Sequence, residues 1–261
     1  MLCRQQDRLD RCPPSGRLPA AAVSRGQTAV QDEAMPSAEH LIQSLRSQPL
    51  LIVLRPGEPL RALPTLQRLQ ALGIIHVEIA WQPVQGWSEQ MAELIGRFPA
   101  LQLGAASVCE TQGVSDAASA GCRYAVSPVL DVELQQQAAE RDLLLVPGVM
   151  SPSEVHQARW RGCGIVKLFP AVSVGREYWR RLREPLGAPL PFCIAAGGLK
   201  PADVLPWLEA GLDAVALGSG LGDLEATGEW RQLLAALGGR TASSQPSRPP
   251  ETGEDKTPWR R

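Results

Sequence analysis

Leu50-Leu51-Ile52-Val53-Leu54-Arg55-Pro56-Gly57 decides how this chain reads. The apolar run Leu50 to Leu54 shows no polar alternation, which suits a strand covered on both faces, as parallel strands in α/β proteins are. The turn after it lacks the G-x-G-x-x-G glycines that usually follow the first strand of an open doubly wound sheet. Further apolar runs follow at Ile74 to Trp81, Leu101 to Ala105, Tyr124 to Val126, Leu143 to Val146, Ile165 to Phe169, Phe192 to Ala195 and Ala214 to Leu217. Behind each comes a polar turn and a segment of helical spacing, such as Leu60, Leu63, Leu66 and Leu69, or Met91, Leu94 and Ile95. Eight such units of roughly 25 residues predict an α/β fold, a (β/α)8 TIM barrel, at the short end of the roughly 200 to 400 residues typical of it.

Outward from the barrel, the ends change character. Residues 1–35 hold Cys-Pro-Pro-Ser-Gly and mixed charges without hydrophobic periodicity, and read as a disordered leader with a second start expected at Met35. An N-terminal helix is expected from Ser37, whose hydroxyl suits a cap ahead of Leu41, Ile42 and Leu45. The barrel domain is then 36–237. Residues 238–261, rich in Ser, Thr, Pro and charge, read as a disordered tail.

No apolar run approaches the roughly 20 residues that span a bilayer, and a formal net charge of −1 offers nucleic acid no basic grip, so neither membrane nor nucleic acid is expected as a partner. The cysteines are scattered singly with no C-x-x-C pair, which predicts reduced, mostly buried thiols and a cytoplasmic protein. His40, His76 and His156 lack the i, i+4 spacing that places two ligands on one helix face, so nothing argues for a metal.

In a TIM barrel the chemistry sits at the carboxyl ends of the strands. Those positions here are Arg55, Glu78, Ser107, Ser127-Pro128, Pro147-Gly148, Lys167, Gly197-Gly198 and Gly218-Ser219. Lysine is scarce in this chain, only Lys167, Lys200 and Lys256, so each one can be questioned individually. Lys167 lies inside Gly164-Ile165-Val166-Lys167-Leu168-Phe169-Pro170, where lost hydration lowers its pKa and favours a nucleophilic neutral amine. The bland alternatives are an amine that snorkels to the surface or pairs with an acid. Glu78 interrupts the apolar Val77-Glu78-Ile79-Ala80-Trp81 and reads either as an acid/base beside Lys167 or as an outward-facing or ion-paired carboxylate. Arg55 has the planar fork that grips a carboxylate by two parallel hydrogen bonds, against the alternative of an ordinary loop arginine. Gly197-Gly198 and Gly218-Ser219, after strands seven and eight, fall where barrels bind phosphate with backbone amides.

Taken in order, Leu54-Arg55, Val77-Glu78-Ile79, Gly104-Ala105-Ala106-Ser107-Val108, Ala125-Val126-Ser127-Pro128, Val146-Pro147-Gly148-Val149, Val166-Lys167-Leu168-Phe169-Pro170-Ala171, Gly197-Gly198 and Gly218-Ser219 resemble the class I aldolases that cleave 2-keto-3-deoxy-6-phosphogluconate and 4-hydroxy-2-oxoglutarate. The resemblance covers about residues 37 to 237, and K-x-F-P-A is its most specific part. It implies that Lys167 forms the Schiff base and that Glu78 shuttles protons. It further implies that Arg55, Ser107, Pro128 and Gln82 bind the substrate, that Gly197, Gly198 and Ser219 hold its phosphate, and that the protein is a homotrimer using no metal and no cofactor. Three positions depart from the pattern: Gln82 stands where an arginine is usual, Ser107 replaces a threonine, and Ala196 replaces another. The expected reaction is Schiff-base cleavage of a 2-keto acid to pyruvate and an aldehyde, glyceraldehyde 3-phosphate or glyoxylate. A phosphosugar isomerase or epimerase, and a barrel that binds a keto acid or phosphate without turnover, are the rival readings.

Overall fold

In the computed structural model, the described residues are 38–219, 221, 224 and 227–243. The expected leader, the Ser37 cap and Lys256 lie outside them. Parallel strands β1 (Leu50–Leu54), β2 (His76–Ala80), β3 (Gln102–Ala106), β4 (Tyr124–Val126), β5 (Leu144–Val146), β6 (Gly148–Val149), β7 (Ile165–Leu168), β8 (Phe192–Ala196) and β9 (Ala214–Leu217) pair in chain order, and β9 returns to β1. The segments β5 and β6 are two parts of one strand. Proline has no N–H to give a ladder, so the strand is split at Pro147. Its carbonyl nevertheless accepts from the Lys167 amide at 2.8 Å, and the barrel closes there. The expected (β/α)8 barrel is the fold, with each expected strand at its expected place.

Helices α1 (Ala38–Ser47), α2 (Leu63–Leu72), α3 (Trp87–Arg97), α4 (Thr111–Ser119), α5 (Val132–Ala139) and α6 (Pro152–Trp160) are full-length. Four short helical pieces follow, α7 (Ala171–Val174), α8 (Tyr178–Arg181), α9 (Arg183–Leu186) and α10 (Val204–Glu209), and then α11 (Thr227–Ser243). Local chemistry starts several of them. Asp131 accepts from the Leu134 amide at the head of α5, and Ser151 with Glu154 forms a reciprocal capping box at α6. One boundary needs correction: α11 runs through Gly238 to Ser243, into the stretch read as tail. Glycine is a poor helix former, but Trp230 and Leu237 are buried and anchor the helix from which those turns continue. Residues 244–261 lie outside the description.

Two apolar layers result from the period-2 alternation of the strands. One lies between strands and helices. The other fills the barrel and includes Leu51, Val53, Ala80, Ala106, Tyr124, Val126, Ile165, Ile194 and Ala216. Leu41 and Leu45 of α1 join this inner layer, so α1 plugs the amino-terminal mouth. Leu45 is fully buried, and full burial of such a side chain contributes about 1.5–3 kcal/mol. The plug is also polar at its rim, where Ser44 Oγ lies 2.8 Å from His76 Nε2 and accepts from Gln102 Nε2 at 2.7 Å. With one end sealed, the carboxyl ends of the strands are left as the open face.

Candidate active site

Among the described residues the buried polar side chains are His76, Glu78, Ser127 and Lys167. His76 belongs to the amino-terminal plug. The other three stand toward the carboxyl ends of their strands.

Lys167 projects from β7 and is 4% exposed, so it neither snorkels to the surface nor lies on the helix side of its strand. Burial lowers its pKa, the nearby Arg55 charge lowers it further, and Glu78 opposes both. Glu78, on β2, is pushed up to about 7 by burial, while the charges of Lys167 and Arg55 pull it back. Both shifts favour the neutral forms, in which an amine can attack and a carboxyl can give up a proton. Nζ of Lys167 also stands 5.1 Å from the centroid of the Phe169 ring.

Lys167 lines a cavity of 350 Å³, which Glu78 does not reach. It gathers Lys167, Arg55, Gly197, Gly198 and Ser219, which the sequence placed on four separate strand ends, and adds Phe169 and Val172 as walls. Gly197 and Gly198 have φ of +99° and +81°, which side chains rarely adopt. A Cβ at Gly197 would fall 2.9 Å from the Phe169 ring, and one at Gly198 would fall 2.7 Å from Val172 Cγ1. The backbone is bare here because there is no room for anything else. Arg55 is held over the same wall, where a Cβ at Gly218 would come within 3.0 Å of its Nη1.

Ser107, Pro128 and Gln82 also sit just beyond their strands but do not line that cavity. Gln82 is exposed, whereas Ser107 and Pro128 are half-buried. Ser107 takes φ of +59°, a strained conformation for a non-glycine residue and of the kind that gathers at functional sites. Pro128 is packed against β6, where a Cβ at Gly148 would stand 2.2 Å from its carbonyl carbon and oxygen. Lys200 is exposed, and its amide donates to Asp203 Oδ2 at 2.8 Å.

Cavities of 380 and 420 Å³ open at the other end of the barrel, beside α1. Neither is lined by Lys167 or Glu78. Among the described residues no group of three or more His, Cys, Asp or Glu is placed to hold a metal ion. No helix there is long and apolar enough to cross a membrane. Cys122 and Cys193 are buried as expected, but Cys109 is exposed, because it lies in the turn past β3 and beyond the inner layer.

Two features escaped the sequence reading. Phe169 belongs to the K-x-F-P segment, but its place over the amine depends on where the strand ends. Tyr124 is fully buried in the barrel, and its one sequence signal was a hydroxyl-bearing residue in an otherwise apolar run.

Fold and site together define a (β/α)8 barrel with a buried amine and carboxyl at the carboxyl ends of its strands. The chain belongs to the KDPG and KHG aldolase family, whose model matches residues 41–235. It is 28% identical over 174 residues to the 2-dehydro-3-deoxy-6-phosphogalactonate aldolase of Escherichia coli strain K12, covering 66% of this chain and 84% of the relative. It is 30% identical over 158 residues to the 2-dehydro-3-deoxy-phosphogluconate aldolase of Pseudomonas aeruginosa, covering 60% of this chain and 70% of the relative. A crystal structure of the 4-hydroxy-2-oxoglutarate aldolase/2-deydro-3-deoxyphosphogluconate aldolase from TTHB1 superposes with a TM-score of 0.61 at 31% identity, covering 75% of this chain and 98% of the other.

Proposed function

We propose that this protein is a class I aldolase that reversibly cleaves a 2-keto-3-deoxy sugar acid, phosphorylated at its far end, into pyruvate and an aldehyde. The observation that carries the reading is Lys167, buried inside the barrel within reach of the Glu78 charge and lining a cavity together with Arg55.

The neutral amine of Lys167 adds to the C2 carbonyl. Glu78, in its acid form, supplies the proton by which the carbinolamine hydroxyl leaves as water, which gives a protonated imine. A base takes the proton from the C4 hydroxyl, the C3–C4 bond breaks, and its electron pair moves into the imine to form an enamine. Glu78 is well placed to be that base once ionised. The aldehyde leaves, the enamine is protonated at C3, and water hydrolyses the imine to free pyruvate and restore the amine. Arg55 holds a substrate carboxylate with its two-pronged fork. Gln82 offers only neutral contacts where the family pattern has an arginine. A charge-assisted contact contributes about 1.5–3 kcal/mol and a neutral one nearer 1, so the carboxylate grip falls more heavily on Arg55. Ser107 and Pro128 are assigned to the pyruvate half of the substrate.

The bare backbone at Gly197 and Gly198 and the hydroxyl of Ser219 support a phosphate at the cavity rim, which makes glyceraldehyde 3-phosphate the aldehyde; glyoxylate would leave those groups unused. The protein is assigned to the cytoplasm as a homotrimer. The free cysteines support the reduced compartment, and the exposed Val129 after β4, Val132 at the head of α5 and Met150 after β6 supply apolar surface for association. Sedimentation equilibrium tests the trimer directly.

Borohydride added with pyruvate is expected to fix a covalent adduct on Lys167, located by peptide mass. An unmodified Lys167 with pyruvate bound removes the imine mechanism, as does turnover that survives Lys167→Met. Product analysis with phosphorylated and unphosphorylated 2-keto acids, side by side, decides between the two aldehydes.

A further inference from the structure

Tyr124 and Glu78 sit on strands separated by β3. Glu78 is in register with Gly104 of β3, and Ala105, the next residue, is in register with Ala125 of β4. Tyr124, Gly104 and Glu78 therefore follow one another across three neighbouring strands. Gly104 has no side chain, and the Tyr124 ring fills the space: a Cβ there would lie 2.6 Å from the ring Cζ and 2.7 and 2.9 Å from the two Cε atoms. These are the atoms at the hydroxyl end of the ring. The phenol thus reaches over β3, toward the strand that carries Glu78. Both residues are 1% exposed, and both Tyr124 Oη and Glu78 Oε2 are buried polar atoms without a hydrogen-bond partner. Buried polar groups are costly to leave unpaired, and here an acceptor and a donor are left over on strands one apart.

We infer that the Tyr124 hydroxyl donates to the Glu78 carboxylate, directly or across one water, and is a positioning residue for the proton chemistry of Glu78. The inference rests on the aldolase reading above, in which Glu78 moves protons at the amine. Burial and the charge of Glu78 hold the phenol well above its usual pKa, so it stays protonated and remains a donor throughout the working range. A donor to the carboxylate favours its ionised form. Tyr124 thus counteracts the burial that pushes Glu78 up, and it fixes which oxygen is left to face Lys167.

Tyr124→Phe keeps the ring over Gly104 and removes only the hydroxyl. Its effect is read in the titration of the Glu78 carboxyl, followed by infrared difference spectra against Glu78→Gln in each background, and in the acid limb of the kcat profile. Both are expected to move up by about one pH unit, with kcat at pH 6 falling several-fold and KM little changed. Replacing Tyr124 by 3,5-difluorotyrosine, a stronger donor, is expected to move the same titration down. Titrations that superimpose in the wild type and both variants overturn the inference, as do two shifts in the same direction. Borohydride trapping of pyruvate on Lys167 in the wild type keeps the two readings apart. Trapping with no titration shift removes the role of Tyr124 alone, and a shift without trapping removes the aldolase reading on which that role depends.

Discussion

The amine of Lys167 faces the ring of Phe169, two residues further along the same run, at 5.1 Å from the ring centroid. The same ring covers Gly197, where it leaves no room for a Cβ. Phe169 thus touches both ends of the proposed site, the amine and the glycine rim. Its π face attracts a cation, and the protonated imine proposed at Lys167 is such a cation.

Phe169→Leu removes that face while keeping an apolar side chain. With cation–π contacts worth about 0.5–2 kcal/mol, kcat is expected to fall by about 2- to 30-fold. Steady-state cleavage of the phosphorylated keto acid measures it. An unchanged kcat would mean that the ring serves the glycine rim only.

Arg55→Lys keeps the charge and loses the fork. KM is expected to rise by about tenfold, the equivalent of about 1.4 kcal/mol, with a smaller change in kcat. A fall in kcat with KM unaltered would place Arg55 at the reacting centre instead of on a carboxylate.

Gly148→Ala drives a methyl group into the Pro128 backbone at 2.2 Å. Backbone cannot step aside as a flexible side chain does, so the β4 and β6 ends must separate. Overpacking of this kind costs about 1–3 kcal/mol, or more where the backbone has to move. A urea midpoint within error of the wild type would show that this junction yields freely.

His76 makes stability depend on acid. Burial lowers its pKa from 6.5 to about 4, so the folded state resists the proton that the unfolded chain accepts. The stabilisation is complete above pH 6.5 and is lost as pH falls through the window from 6.5 to 4, to a total of about 3 kcal/mol. Glu78 slopes the other way. Its pKa, raised to about 7 from 4.5, gives stability that is full below 4.5 and lost as pH rises through 7. Urea unfolding at several pH values should show His76→Gln with a shallower loss toward pH 4 than the wild type, and Glu78→Gln with a shallower loss toward pH 8. Parallel curves would contradict both assignments.

The barrel was legible because its signal is local. Leu50 to Leu54 is apolar throughout and lies between two layers, and the other runs that form strands are mostly apolar too; burial on both faces is written into consecutive residues. Lys167 and Glu78 were legible for the same reason, as charged groups within such runs. The tail boundary was not, because Gly238 and Gly239 look like helix breakers and only the docking of Trp230 and Leu237 overrides them.

The sequence by itself determined the kind of strand, their number, and which residues sit at their carboxyl ends. The tertiary structure alone decided which of those residues meet. Ring closure brings β7 and β1 around one cavity, so Lys167 and Arg55 share it with Gly197 and Ser219, whereas Glu78, Gln82, Ser107 and Pro128 stay outside its lining. Register across β2, β3 and β4 sets Tyr124 over Gly104 toward Glu78. Alternation along a strand fixes the face a side chain takes, but distance between strands depends on pairing and closure, which no single run contains.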